Sequence, residues 1–176
     1  MPPYPSPDGE GSRIAAARTP PQVEHQSMSQ STVGRPMEIL LVEDNLDDAR
    51  VTLESLRPEN VKCRVTLVCD GEEALNFLQR EGIFAQAPRP DLILLDMELP
   101  KKDGPQVLSE IRASETLRNI PVVVLTASLV HRAVLGGLNL RVDDYMTKPV
   151  DWQQFLAVVK HLRRSWLAEV ILPPIG

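Results

Sequence analysis

Asp96 closes an unbroken apolar run, Leu92–Leu95, bounded by Pro90 and Pro100. A run of that length without alternation predicts a strand buried on both faces, as in a parallel sheet covered by helices. Packing has no use for an aspartate there, and burying it unpaired costs several kcal/mol. It must be solvated, paired or reactive. Three further apolar stretches end in chemistry-bearing residues: Met37–Val42 in Glu43 and Asp44, Val122–Leu125 in Thr126, and Val142–Met146 shortly before Lys148. In open α/β sheets ligands sit at the carboxyl ends of the strands. Acids gathered there repel one another and raise one another's pKa unless a cation lies among them. Oxygen-only donors suit Mg²⁺, with Mn²⁺ as the alternative. A carboxylate beside such an ion and a lysine, with a hydroxyl opposite, is equipped to accept a phosphoryl group. Asp96 would be the nucleophile, and Lys148 with the metal would neutralise the transferring oxygens.

The elements that must position these residues follow from the pattern between them. Asn45 caps a helix running to about Arg57, where Pro58 stops it, and Asp47 and Asp48 sit in its first turn, where carboxylates favour the macrodipole. Cys63–Val68 predicts the next strand, followed by a helix opened by a capping-box pattern, Asp70 with Glu73, and ending near Gly82. After the Asp91–Asp96 strand come helices over Pro105–Ala113 and Ser128–Leu138, the latter weakened by Gly136–Gly137. Asp151 and Gln154 cap a long final helix. Strands alternating with helices mean βαβ units and a doubly wound, five-stranded parallel sheet. In the order 2-1-3-4-5 the crevice opens between strands one and three, which brings Glu43, Asp44 and Asp96 together.

Composition narrows the function classes. The chain has 176 residues, 43% hydrophobic and 24% charged, with net charge −5. That is an ordinary globular balance whose acidic excess argues against a dedicated nucleic-acid surface. No apolar stretch approaches the ~20 residues that span a bilayer, and the N-terminus lacks a secretory pattern, so a cytoplasmic protein is expected. Residues 1–36 are rich in Pro, Ser, Gln and Gly and read as a flexible arm. Cys63 and Cys69 lie at opposite ends of one strand, roughly 20 Å apart, too far for a mutual disulfide. His25, His131 and His161 form no ligand-spaced set.

The segments LLVEDN, LILLDMELPKKDG, VVVLTAS and DDYMTKP together resemble the signature segments of two-component response regulator receiver domains, the CheY-like family. The resemblance covers about residues 37–167, leaving 168–176 as an extension of the last helix. It implies that Asp96 is the phospho-acceptor. It also implies Mg²⁺ held by the side chains of Asp44 and Asp96 and by the backbone carbonyl of Glu98, with Glu43 reaching the ion through water. Thr126 matches the hydroxyl that closes on the phosphoryl group, Lys148 the ammonium that pairs with it, and Tyr145 the switch aromatic. The Lys148–Pro149 bond is cis in the family. Arg141–Val142 stand where many receivers have Gly–Ala, and Glu98 adds an acid at the pocket rim.

Two other readings share part of the pattern. A haloacid-dehalogenase-type phosphatase also uses an aspartyl phosphate, but it wants an Asp where Glu98 stands and a lid that no insertion supplies. A flavodoxin-like mononucleotide binder shares the sheet order, yet its first loop should cradle a phosphate, and the acidic EDNLDD would repel one. A receiver that only docks, never phosphorylated, is a further alternative. Output is expected through association, since nothing after the receiver is large enough to be an effector. Trp152, Phe155, Leu156, Val159, Leu162, Trp166 and Val170 recur at helical spacing, and Leu167, Ile171 and Leu172 extend the apolar surface. A homodimer through the last helix and strand five is expected. The PRPDLILLD and LPKKDG segments, with this Trp-containing tail, resemble the single-domain regulators that serve phytochrome-type histidine kinases.

Overall fold

The computed structural model describes residues 35–56, 62–128 and 130–162. The chain divides into two units, Met1–Thr32 and Val33–Gly176; the first lies outside the described residues, and every described element belongs to the second. Its strands are β1 (Met37–Val42), β2 (Cys63–Val68), β3 (Leu92–Asp96), β4 (Val122–Thr126) and β5 (Asp144–Thr147). Between and after them run α1 (Leu46–Ser55), α2 (Gly71–Gln79), a 3-10 turn (Gly82–Phe84), α3 (Gly104–Ala113), α4 (Val130–Gly137) and α5 (Trp152–Leu162). All strand pairs are parallel, in the order β2-β1-β3-β4-β5.

The apolar runs do not alternate because both faces of the sheet are covered. Successive side chains point to opposite faces. Leu40, Val42, Ile93, Leu95, Val122 and Val124 therefore meet α2, α3 and Leu135 of α4. Ile39, Leu41, Leu92, Leu94, Val123 and Leu125 meet Ala49 of α1 and Phe155, Val158, Val159 and Leu162 of α5. Each fully buried aliphatic side chain stabilises by about 1.5–3 kcal/mol, which anchors the strand tips that carry the polar residues.

Several boundaries differ from the sequence expectation for local reasons. Arg35 and Pro36, assigned to the arm, fall within the described residues, and Arg35 makes a bidentate pair with Asp91, both contacts 2.6 Å. The helix α1 ends at Ser55; Arg57 and Pro58 lie outside the described residues. The strand β5 starts at Asp144 rather than Val142, because the residues before it are pinned by Arg112. Its guanidinium donates to the Arg141 carbonyl and to Asp143, whose carboxylate also accepts from the Val122 amide. The path through Arg141–Val142 is thereby fixed without the small residues common in receivers. Asp70 accepts from the Glu73 amide as expected, but Glu73 reaches the amide of Cys69, one residue before the cap. The complete capping box belongs to Asp103 and Gln106, opening α3. The described part of the last helix is Trp152–Leu162; Trp166, Leu167, Val170, Ile171 and Leu172 lie outside the described residues. The Lys148–Pro149 peptide is cis.

Candidate functional site

Register sets the site. Val42 pairs with Leu95 across β1 and β3, and Asp96 pairs with Leu125 across β3 and β4, so Glu43 and Asp96 leave the sheet at one level. Thr126 stands level with Thr147, one residue before Lys148. Glu43, Asp44 and Asp96 offer carboxylate oxygens that all lie within 4.8 Å of one another. Glu43 and Asp96 are buried, while Asp44 is exposed at the mouth.

Lys148 crosses to these acids from the β5–α5 loop. Because α1 and α5 flank the same face, that loop passes close to α1, where Ser55 donates to the Val150 carbonyl. Gln154 braces it: its Oε1 accepts from the Thr147 amide, and its Nε2 donates to the carbonyls of Thr147 and Pro149. The ammonium lies 2.6 Å from Glu43 Oε2, 3.2 Å from Asp96 Oδ1 and 3.2 Å from Asp48 Oδ2. Burial alone would lower the Lys148 pKa, but Glu43, Asp96 and Asp48 outweigh it and hold it above the usual lysine value.

Glu43 carries the clearest electrostatic signature. Its Oε1 accepts from the Asn45 amide, whereas its buried Oε2 has no hydrogen-bond partner of good geometry, only the close ammonium. Burial pushes its pKa up to about 7; contact with Lys148 opposes this, and Asp96 adds to it. Mutual repulsion among acids is thus present, but desolvation is the larger cause. A buried carboxylate oxygen without a well-aligned hydrogen-bond donor, beside two further carboxylates, fits a hard divalent cation.

The other predicted residues lie on β4, on β5 and in the loop after β3. Thr126 is buried, and its hydroxyl donates to the Ser128 carbonyl and accepts from the Ser128 amide, so it is engaged with its own loop. Glu98 is exposed, two residues beyond Asp96. Tyr145 is half-buried on the strand beside that of Thr126, with the Arg132 guanidinium 4.3 Å over its ring. The loop after Asp96 is shaped by Gly104, whose amide donates to the Met97 carbonyl. A Cβ on Gly104 would lie 2.7 Å from the Asp96 carbonyl oxygen and 2.6 Å from Met97 Cα. Sequence reasoning placed Asp48 only as a helix-terminal acid and did not find its contact with Lys148. Local spacing holds no sign of it, since the partners are separated by 100 residues.

The family model for the response regulator receiver domain matches residues 39–160. The chain belongs to the response regulator receiver domain family. Among similar receivers, the response regulator Rcp1 of Synechocystis sp. is 41% identical over 138 residues, covering 78% of this chain and 94% of Rcp1. The Mn²⁺-bound form of Rcp1 has been solved and superposes with TM-score 0.62, covering 79% of this chain and all of that one. The bacteriophytochrome response regulator RtBRR matches with TM-score 0.70 at 40% identity, over 81% of this receiver and 86% of RtBRR. The phosphorylated cyanobacterial phytochrome response regulator RcpA matches with TM-score 0.64 at 44% identity, over 80% of this receiver and 100% of RcpA. Among the described residues, no helix of the receiver is long and apolar enough to cross a membrane.

Proposed function

We propose that this receiver acts as a single-domain response regulator in the cytoplasm, accepting a phosphoryl group on Asp96 from the phosphohistidine of a phytochrome-type sensor histidine kinase. The observation that carries this reading is the convergence of Glu43, Asp44, Asp96 and Lys148 at the strand tips. Asp96 attacks phosphorus through one carboxylate oxygen. The new O–P bond forms as the N–P bond to the kinase imidazole breaks, and the electron pair returns to that nitrogen. Asp44, Asp96 and the Glu98 carbonyl would hold Mg²⁺, or Mn²⁺ as in the Rcp1 relative, with Glu43 reaching it through water. When bound, such an ion supplies positive charge against the oxygens of the transferring group. Lys148 supplies the second positive charge from the protein itself, and Thr126 turns its hydroxyl from Ser128 toward the phosphoryl oxygens.

Thr126 and Tyr145 couple that turn to the face made by α4, β5 and α5. Support comes from the stripe Val130, Val134 and Leu138 at α4, which are 65%, 47% and 54% exposed. Contiguous exposed apolar surface of this kind marks association. A homodimer through α5 and β5 is the form of output proposed, without contact to nucleic acid. Incubation of the full chain with acetyl phosphate and Mg²⁺, followed by intact mass, tests the reading. Addition of one phosphoryl group to wild type and none to Asp96→Asn is expected; equal labelling of both overturns it.

A further inference from the structure

We propose that Asp48 is a positioning residue that holds the Lys148 ammonium against the first turn of α1, and that a phosphoryl group on Asp96 must compete with it for that ammonium. The inference rests on the reading of Asp96 as acceptor and concerns a residue outside the set that reading uses. A lysine ammonium has three N–H donors. Here three carboxylates surround it: Glu43 at 2.6 Å, Asp96 at 3.2 Å and Asp48 at 3.2 Å. The three are not equally easy to release. Glu43 is fully buried, and losing its cation would strand a charge without solvent. Asp96 would itself carry the phosphoryl group, so its contact is replaced by the new oxygens. Asp48 has a side chain 45% exposed, and water can take over its solvation when the ammonium leaves.

Asp48 is well placed to set this resting position. Its amide donates to Asn45 Oδ1, fixing it in the cap of α1, and its carboxylate favours the positive end of that helix. Lys148 is only 16% exposed and is braced through Gln154, so the pair forms between two ordered groups. Asp47 lies one residue away on the same turn, is exposed, and shares the dipole role without a place among the acids around Lys148. It is therefore a control that removes the same charge but not the contact.

The test compares wild type, Asp48→Asn and Asp47→Asn in the full chain by two readouts. One is the equilibrium affinity for beryllofluoride, a phosphoryl mimic, with Mg²⁺; the other is the rate of phosphorylation by acetyl phosphate. Replacing the Asp48 charge by a neutral amide oxygen, a weaker hold on the ammonium, corresponds to about a fivefold gain in affinity and rate for Asp48→Asn, with less than about twofold for Asp47→Asn. In a Lys148→Ala background the gain from Asp48→Asn should vanish, since Asp48 acts through the ammonium. If Asp48→Asn matches Asp47→Asn, or its gain survives without Lys148, the positioning role is overturned while the acceptor reading stands. If wild type takes up neither beryllofluoride nor phosphoryl, the acceptor reading falls and the inference with it.

Discussion

Lys148 Nζ lies 2.6 Å from Glu43 Oε2, and that fully buried oxygen has no other polar partner of good geometry among the described residues. The charge of Glu43 is thus held by the Asn45 amide on one oxygen and, on the other, by an ammonium supplied from the loop after β5. That dependence bears both on stability against pH and on metal affinity.

Burial is the main cause that raises the Glu43 pKa from 4.5 to about 7. An acid whose folded-state pKa exceeds its unfolded value favours the folded state when protonated. Its contribution is full below the unfolded value of 4.5 and is lost as pH rises through about 7. In metal-free protein, urea denaturation should therefore show wild type losing stability relative to Glu43→Gln across that window. Added Mg²⁺ should recover part of the loss at the alkaline end, and its apparent affinity should fall as Glu43 protonates. A difference between the two proteins that stays flat with pH would refute the assignment.

The strand tips were legible because each apolar run is short, unbroken and followed at once by a residue that packing does not require. Asp96 after Leu92–Leu95 is the clearest case, and the sheet order then brings it beside Glu43 and Asp44. What could not be read is what depends on one loop passing over another. The contact of Asp48 with Lys148, the brace from Gln154, and the hold of Arg112 on residues before β5 all join separate segments through single side chains. The Thr126 hydroxyl illustrates a second limit. Its place at the end of β4 follows from pattern, but its engagement with Ser128 depends on a rotamer.

Gly104 and the Gly136–Gly137 pair carry opposite expectations. At Gly104 a Cβ would meet the backbone of Asp96 and Met97 at 2.7 and 2.6 Å. Gly104→Ala should cost about 2 kcal/mol or more and slow phosphoryl uptake, since Asp96 must move with its carbonyl. At Gly136 and Gly137 nothing lies within 4 Å of the added atom. Alanine there should stabilise by up to about 0.5–1 kcal/mol per site, by favouring helix in α4. Thermal melts of the single variants check both signs.

Arg112 should prove the most sensitive charged residue away from the pocket. It donates to the carbonyls of Arg118, Ile120 and Arg141 and pairs with Asp143 at 2.8 Å, with its side chain 11% exposed. Arg112→Ala removes all four contacts at once, leaving the Ile120 and Arg141 carbonyls without this donor and the half-buried Asp143 carboxylate with the Val122 amide and the more distant Arg141, at a cost of about 3 kcal/mol. Arg112→Lys keeps the charge but not the planar fork, so it should recover only part of this. Urea midpoints measure both, and a loss under about 0.5 kcal/mol for Arg112→Ala would show that water replaces the network.

Glu98, exposed and two residues beyond Asp96, should shorten the life of a phosphoryl group. Its carboxylate can repel the phosphoryl oxygens, or it can orient a water toward phosphorus. Both predict slower decay in Glu98→Asn, by about two- to fivefold, the size of an exposed charge interaction. Ionic strength separates the causes. Repulsion across solvent is screened over roughly 10 Å at 0.1 M salt, so the difference from wild type should shrink as salt is added. Orientation of a water by hydrogen bonding should survive added salt. Decay followed by intact mass at low and high salt distinguishes the two, and equal rates at low salt would remove Glu98 from both accounts.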